Sequence, residues 1–287
     1  MGVILRHSSS KITTYKGCPL AYYLKYVMHE IVPESVKLSF GKVVHTMLDQ
    51  FYEKDFKSED SFANSFKYNW FRHCSGETLE GKMKERFQIK EYPTKKGPIK
   101  LGTNIKFYKV SKNESEEEIN QKTLGIFFGY MKTGEEIMKK FYKEYINRPD
   151  PIIREGRFTL DILGHPNSNG HKRRHRVIVI YDRIDEKDGH VIISDYKTDA
   201  GDPSDKGFSI HRHPQFTLYS LALRQLIAEG RISFKSGAKE ESAIFYNHLR
   251  SGKMLETHRS EEDFNYIRSL LDDVTVCNPQ TYVLPSK

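Results

Sequence analysis

The sequence predicts an α/β protein with a helical insertion, and three observations carry that reading. Two short runs rich in Val and Ile, Val177–Tyr181 and Val191–Ser194, are joined by a polar turn containing Gly189, which is the pattern of a β-hairpin. Stretches with apolar residues at helical spacing lie on either side, Ser39–Tyr52 before it and a segment opening at Pro214 after it. Between residues 54 and 150 the pattern is helical in patches, and no repeat is evident. The chain therefore divides into 1–53 (N-terminal helices), 54–150 (a helical insertion or subdomain) and 151–287 (the core).

Ser8 to Met28 reads as a helical hairpin. Serines offer an N-cap, Ile12, Tyr15 and Cys18 follow at helical spacing, and Pro19 opens a second helix. In Ser39–Tyr52 an apolar stripe of Val44, Met47, Leu48 and Phe51 faces a core, with His45 beside it. Such a histidine is a core residue unless carboxylates approach it, in which case it becomes a metal ligand. In the insertion, Phe62–Phe71 and Ile119–Tyr145 suit helices, a Pro/Gly/Lys loop spans Tyr92–Gly102, and Glu116–Glu118 favour the first turn of the long helix. Glu155–Leu163 alternates like a strand, and Gly164–Gly170 has turn chemistry. Lys172, Arg173, Arg174, His175 and Arg176 then lead into the Val177 strand, either as a solvated hairpin tip or as phosphate contacts. Asp199–His213 is a polar loop. Gln215 and Tyr219, four apart, share a face of the following helix, as they would in any amphipathic helix. Ala243–Leu249 reads as a strand, Glu261–Val276 as a helix, and Asn278–Lys287 as irregular.

The composition is that of a soluble globular protein, 37% hydrophobic and 29% charged. A formal net charge of +8 favours an anionic partner, of which nucleic acid is the commonest. Cys18, Cys74 and Cys277 form no C-x-x-C pair, so neither a zinc site nor a disulfide framework is indicated. No apolar run approaches the ~20 residues of a membrane span, and the N-terminus has no signal core. The expected location is cytoplasmic or nucleoid-associated, not secreted.

The chemistry concentrates at the ends of the hairpin strands. Asp182 follows the first apolar run, and Asp195 follows the second, with Lys197 two residues on. Alternation turns Asp195 and Lys197 to one side. A buried carboxylate is costly unless paired or bound to a cation, and carboxylates with water suit a hard divalent ion. A surface ion pair would explain the same triplet.

Taken together, the motifs resemble the PD-(D/E)XK nuclease superfamily, and its RecB-type exonuclease branch most. These are G-K-V-V-H-T-M-L around His45, D-R-I-D opening at Asp182 thirteen residues before Asp195, D-Y-K-T at Asp195–Thr198, and Q-F-T-L-Y at Gln215–Tyr219. The opening S-S-S-K-I-T-T-Y-K-G-C-P-L-A-Y-Y is also similar to the start of these domains. The resemblance implies a restriction-endonuclease-like core, with a central mixed β-sheet flanked by helices. It implies a DNA nuclease, an exonuclease acting in DNA processing, repair or recombination, with Mg²⁺ or Mn²⁺ as cofactor. His45, Asp182, Asp195 and the backbone carbonyl of Tyr196 match the metal ligands, and Lys197 the residue that positions or activates water. Gln215 and Tyr219 match a motif that supports the site and contacts DNA. Asp185 is a reserve ligand or a structural acid, and Glu155 stands near the site at the start of its strand.

Some relatives hold an iron–sulfur cluster on one cysteine of the opening motif and three near the C-terminus. Here Cys18 matches the first, but only Cys277 follows Val274, so no cluster is expected. A helicase or recombination partner is implied by resemblance alone. No G-x-x-x-x-G-K-[ST] loop occurs, so ATP-driven unwinding would need another chain. A structure-specific endonuclease and a non-catalytic DNA-binding subunit are the alternatives.

Overall fold

The structure is a computed structural model that describes residues 6–76, 85–166, 168–201, 203–206 and 210–276. Cys277 and the tail Asn278–Lys287, for which an irregular course is expected, lie outside the described residues, as does Gly207 of the polar loop. The chain opens with β1 (Arg6–Ser8), α1 (Ser9–Gly17), α2 (Pro19–Tyr22), a π-helical turn (Tyr23–Val27), β2 (Glu34–Ser35), α3 (Val36–Glu53) and α4 (Glu59–Cys74). Short strands β3 (Ile89–Tyr92), β4 (Ile99–Gly102) and β5 (Ile105–Lys106) precede α5 (Glu116–Tyr145). The rest comprises β6 (Ile153–Pro166), β7 (Lys172–Lys187), β8 (His190–Lys197), a 3₁₀ turn (Pro203–Lys206), α6 (Pro214–Ala228), β9 (Ala243–His248), β10 (Lys253–Thr257) and α7 (Glu261–Val276).

The fold is mixed α/β, with a six-stranded central sheet ordered β1-β7-β8-β9-β10 and β6 paired on β7. The β1–β7 and β8–β9 pairs are parallel, and the β6–β7, β7–β8 and β9–β10 pairs are antiparallel. The β7–β8 hairpin turns at Asp188 and Gly189, with φ of 52° and 80°, the positive values that a two-residue type I′ connection demands. Val177, Val179, Tyr181, Val191 and Ile193 point into one core with Ile12 of α1, Leu223 and Leu226 of α6 and Ile267 and Leu271 of α7. A second cluster joins Phe40, Val44, Met47 and Phe51 of α3 to Phe62, Phe66 and Trp70 of α4 and Phe127, Met138 and Phe141 of α5. Tyr196 and Leu249 belong to this second cluster, so it adjoins the end of β8. Among the described residues no helix is long and apolar enough to cross a membrane.

Local chemistry explains the helix starts. Ser35 caps α3 by accepting from Leu38 N–H, so the helix begins at Val36, about two turns before Val44. Ser115 and Glu118 form a reciprocal capping box on α5, which puts Glu116–Glu118 in its first turn. Pro214 occupies the first turn of α6, where its missing N–H costs nothing.

Several elements differ from the expectation. The opening hairpin is interrupted at Cys18, which caps α2, and ends in the π-helical turn. Strands β6 and β7 run well past their apolar centres, so Lys172–Arg176 is strand and not a tip; antiparallel backbone pairing sustains a ribbon whose side chains are polar. The short strands β1 to β5, and β10, escape a periodicity reading because two to five residues carry no period.

Gly134 of α5 packs against the ring of Phe66, and a Cβ there would run into that ring. Gly134→Ala should therefore destabilise the protein by about 1–3 kcal/mol through overpacking, despite a helix-propensity gain of about 1 kcal/mol. Denaturant unfolding measures this; a stabilised variant would refute the close contact.

Candidate active site

His45, Glu155 and Asp182 meet in a cleft of about 990 Å³ between α3 and the sheet. The His45 ring is held on both sides: Nδ1 lies 3.1 Å from Glu155 Oε1 and 3.5 Å from Asp182 Oδ1, and Nε2 lies 3.1 Å from the Tyr196 carbonyl oxygen. Every partner is an acceptor, so both nitrogens donate when the ring is an imidazolium. Burial disfavours that charge, but Asp182, and then Glu155, outweigh it and hold the His45 pKa well above its ordinary value.

Asp182 is 8% exposed, and its Oδ2 accepts from the Tyr196 backbone N–H at 2.7 Å. Burial alone would raise its pKa; His45, Lys197 and that N–H reverse the effect and keep it below the usual carboxylate range. Glu155 enters from β6 with φ of 40°, in the left-handed region that non-glycine residues seldom occupy. The register pairs Arg154 with Arg183 and Gly156 with Tyr181, leaving Glu155 opposite Asp182. Backbone strain of order 1 kcal/mol persists where the surroundings demand it, and such positions cluster at functional sites.

Asp195 is fully buried. Its Oδ2 is 2.6 Å from Lys197 Nζ, and its Oδ1 accepts from Gln215 Nε2 at 2.8 Å and from the Tyr219 hydroxyl at 3.1 Å. Gln215 Oε1 in turn accepts from Lys197 Nζ at 3.1 Å, so the glutamine braces both members of the pair. Burial pushes the Asp195 carboxyl up to about 6 against the pull of Lys197. Lys197 is raised: burial lowers its pKa, but Asp195 and Asp182 more than compensate, and it is an ammonium at neutral pH.

The structure thus brings together His45, Glu155, Asp182, Asp195, the Tyr196 peptide, Lys197, Gln215 and Tyr219. Glu155, and not Asp195, completes the trio whose ligating atoms lie within 4.8 Å of one another; Asp195 is turned to Lys197. Asp185 is no part of this group: it takes two hydrogen bonds from Arg183, at 2.5 and 2.7 Å. The basic run lies elsewhere. Lys172, Arg174 and Arg176 line a separate groove of about 1050 Å³ beside α6 and α7, with Arg176 paired to Asp161 at 3.0 Å, while Arg173 lines a smaller hollow. His175 is 1% exposed and pairs with Asp272 at 2.7 Å. Lys37 and Arg157 line the cleft without having been singled out in the sequence; the alternation that places Glu155 also carries Arg157.

The donor set suits a divalent cation. One imidazole and two carboxylates converge, one of them buried, and a third buried carboxylate stands behind them, which is the oxygen-rich mixture that hard ions take. His45 must lose its proton to bind an ion. Its raised pKa keeps that proton on through neutral pH, so Mn²⁺ affinity should rise with pH, by up to about tenfold per unit. Titrations at pH 6, 7 and 8 measure this; a flat profile would exclude His45 as a ligand.

Comparison with known proteins agrees with this geometry. The family model described as PD-(D/E)XK nuclease superfamily matches residues 6–278. No curated protein matches the chain.

Proposed function

Since the chain belongs to the PD-(D/E)XK nuclease superfamily, we propose that it is a divalent-metal-dependent DNA nuclease that hydrolyses phosphodiester bonds from strand ends, as the RecB-type branch does. The observation that carries this reading is one cleft holding His45, Glu155 and Asp182 together with the Asp195–Lys197 pair. Its setting is DNA processing, repair or recombination, with a helicase or recombination protein as partner.

His45, Glu155 and Asp182 would hold Mg²⁺ or Mn²⁺, with Asp195 beside them. The Tyr196 carbonyl, on the far edge of the His45 ring, would orient that ring by accepting from Nε2 and would not itself reach the ion. A bound ion supplies polarisation of the scissile phosphate and a more acidic water. Lys197 then has two tasks. Its ammonium, fixed by Asp195 and Gln215, orients the attacking water, and its charge offsets the negative charge that builds on phosphorus. Held between Asp195 and Gln215, Lys197 acts as a cation and donor. Gln215 and Tyr219 hold Asp195, and because Tyr219 is 3% exposed, Gln215 is the one of the two that would meet a DNA strand. The run Lys172, Arg173, Arg174 and Arg176 contributes salt-sensitive phosphate contacts at a distance from the acids.

Digestion of 5′- and 3′-labelled oligonucleotides with Mg²⁺, Mn²⁺ or EDTA tests the reading, alongside circular single-stranded DNA. Ion-dependent release of mononucleotides from linear DNA, with circles intact, is expected. Cleaved circles would make the protein an endonuclease, and binding without any cleavage would make it a non-catalytic subunit.

A further inference from the structure

Arg157 stands two residues beyond Glu155 on β6, and Ile180 stands two residues before Asp182 on β7; the two are paired in register. Alternation puts both on the sheet face that carries the acids, one strand step of about 6.6 Å away. Both line the cleft that holds His45, Glu155 and Asp182. The guanidinium of Arg157 makes no ion pair or hydrogen bond with any described residue. Nearby arginines of the same two strands are engaged: Arg154 with Asp49, Arg176 with Asp161, and Arg183 with Asp185. The same cleft shows apolar surface to solvent, with Ile180, the register partner of Arg157, 39% exposed and Leu38 of α3 50% exposed. A free planar fork of donors suits a phosphate, and apolar surface next to it suits the sugar and base that the phosphate carries.

Resting on the nuclease reading above, we propose that Arg157 holds the phosphate next to the one being cut, and that the nucleoside between them rests on Ile180 and Leu38. Arg157 is thus a substrate-positioning residue that touches DNA one nucleotide from the reacting phosphorus. It differs from the Lys172–Arg176 run, which lines the other groove.

Arg157→Ala should raise KM for a short oligonucleotide about tenfold while leaving kcat within about threefold. It should also reduce the slope of log KM against log salt by about one contact. Arg157→Lys should keep the salt slope and recover only part of KM, since the charge remains but the fork is lost. Oligonucleotides with a single neutral methylphosphonate at either position flanking the scissile phosphate localise the contact. Wild type should lose about tenfold at one of the two positions, and Arg157→Ala should lose nothing further there. A variant with wild-type KM and salt slope overturns the proposal, as does one that suffers the full methylphosphonate penalty at both positions. If wild type cleaves no oligonucleotide, the nuclease reading fails instead; equilibrium binding of the same oligonucleotides still reads the Arg157 contact.

Discussion

Lys197→Ala is expected to lower kcat at least about 10²- to 10³-fold, the loss typical of removing one fixed donor aimed at transition-state charge. Mn²⁺ should still bind, because Lys197 is not among the atoms that would hold the ion. A second effect accompanies the first. The variant leaves Asp195 fully buried without its ammonium, and an unpaired buried charge costs roughly 3 kcal/mol. This deficit has a definite pH sign. Burial raises the Asp195 pKa to about 6 even with Lys197 beside it, and loss of the ammonium raises it further, so the two proteins differ least at low pH, where the carboxyl is neutral in both. The stability difference between wild type and variant should therefore be larger at pH 8 than at pH 5, and saturating Mn²⁺ should narrow it. Thermal unfolding with single-turnover cleavage measures both parts. Wild-type turnover in the variant would end the mechanism.

Asp182→Asn should be as severe in activity, at least about 10³-fold, but should leave a different signature. The amide oxygen can still accept the Tyr196 N–H, so the backbone contact survives. The charge does not, and with it goes the largest influence that keeps His45 protonated. The His45 pKa should fall, which NMR titration of its ring reads directly. Mn²⁺ affinity should weaken by about two orders of magnitude in spite of that easier deprotonation, since a carboxylate ligand is lost. An unchanged His45 titration would show that Asp182 does not govern the ring.

Much of this was legible in the residues because the chemistry rides on regular alternation. Asp195 and Lys197 meet at 2.6 Å because a strand turns positions two apart to one side. Gln215 and Tyr219 meet at 2.6 Å because a helix stacks positions four apart. His45 was readable as a residue at the edge of an apolar stripe, and the carboxylates that decide its role arrive from β6 and β7, more than a hundred positions later. Glu155 was readable as a neighbour, but its place in the trio follows from the register that sets it opposite Asp182, and it holds a positive φ that no propensity announces for glutamate. The basic run was readable as charge, while its placement on a separate groove follows from the sheet's pairing and not from composition. Arg183 and Asp185, one and three residues past the key acid, turn to each other. The same alternation explains it: Asp185 stands three positions from Asp182 on β7 and faces the other side, where Arg183, two positions before it, meets it.

Tyr196 ties two parts of the molecule to one residue. Its N–H and carbonyl grip Asp182 and His45, while its ring packs edge-on to Phe141 of the long α5 helix, 5.9 Å between centroids. The helical layer is therefore a backstop for the reacting centre: a cavity opened at Phe141 would let the β8 peptide drift, and the enzyme would lose alignment before it lost its fold.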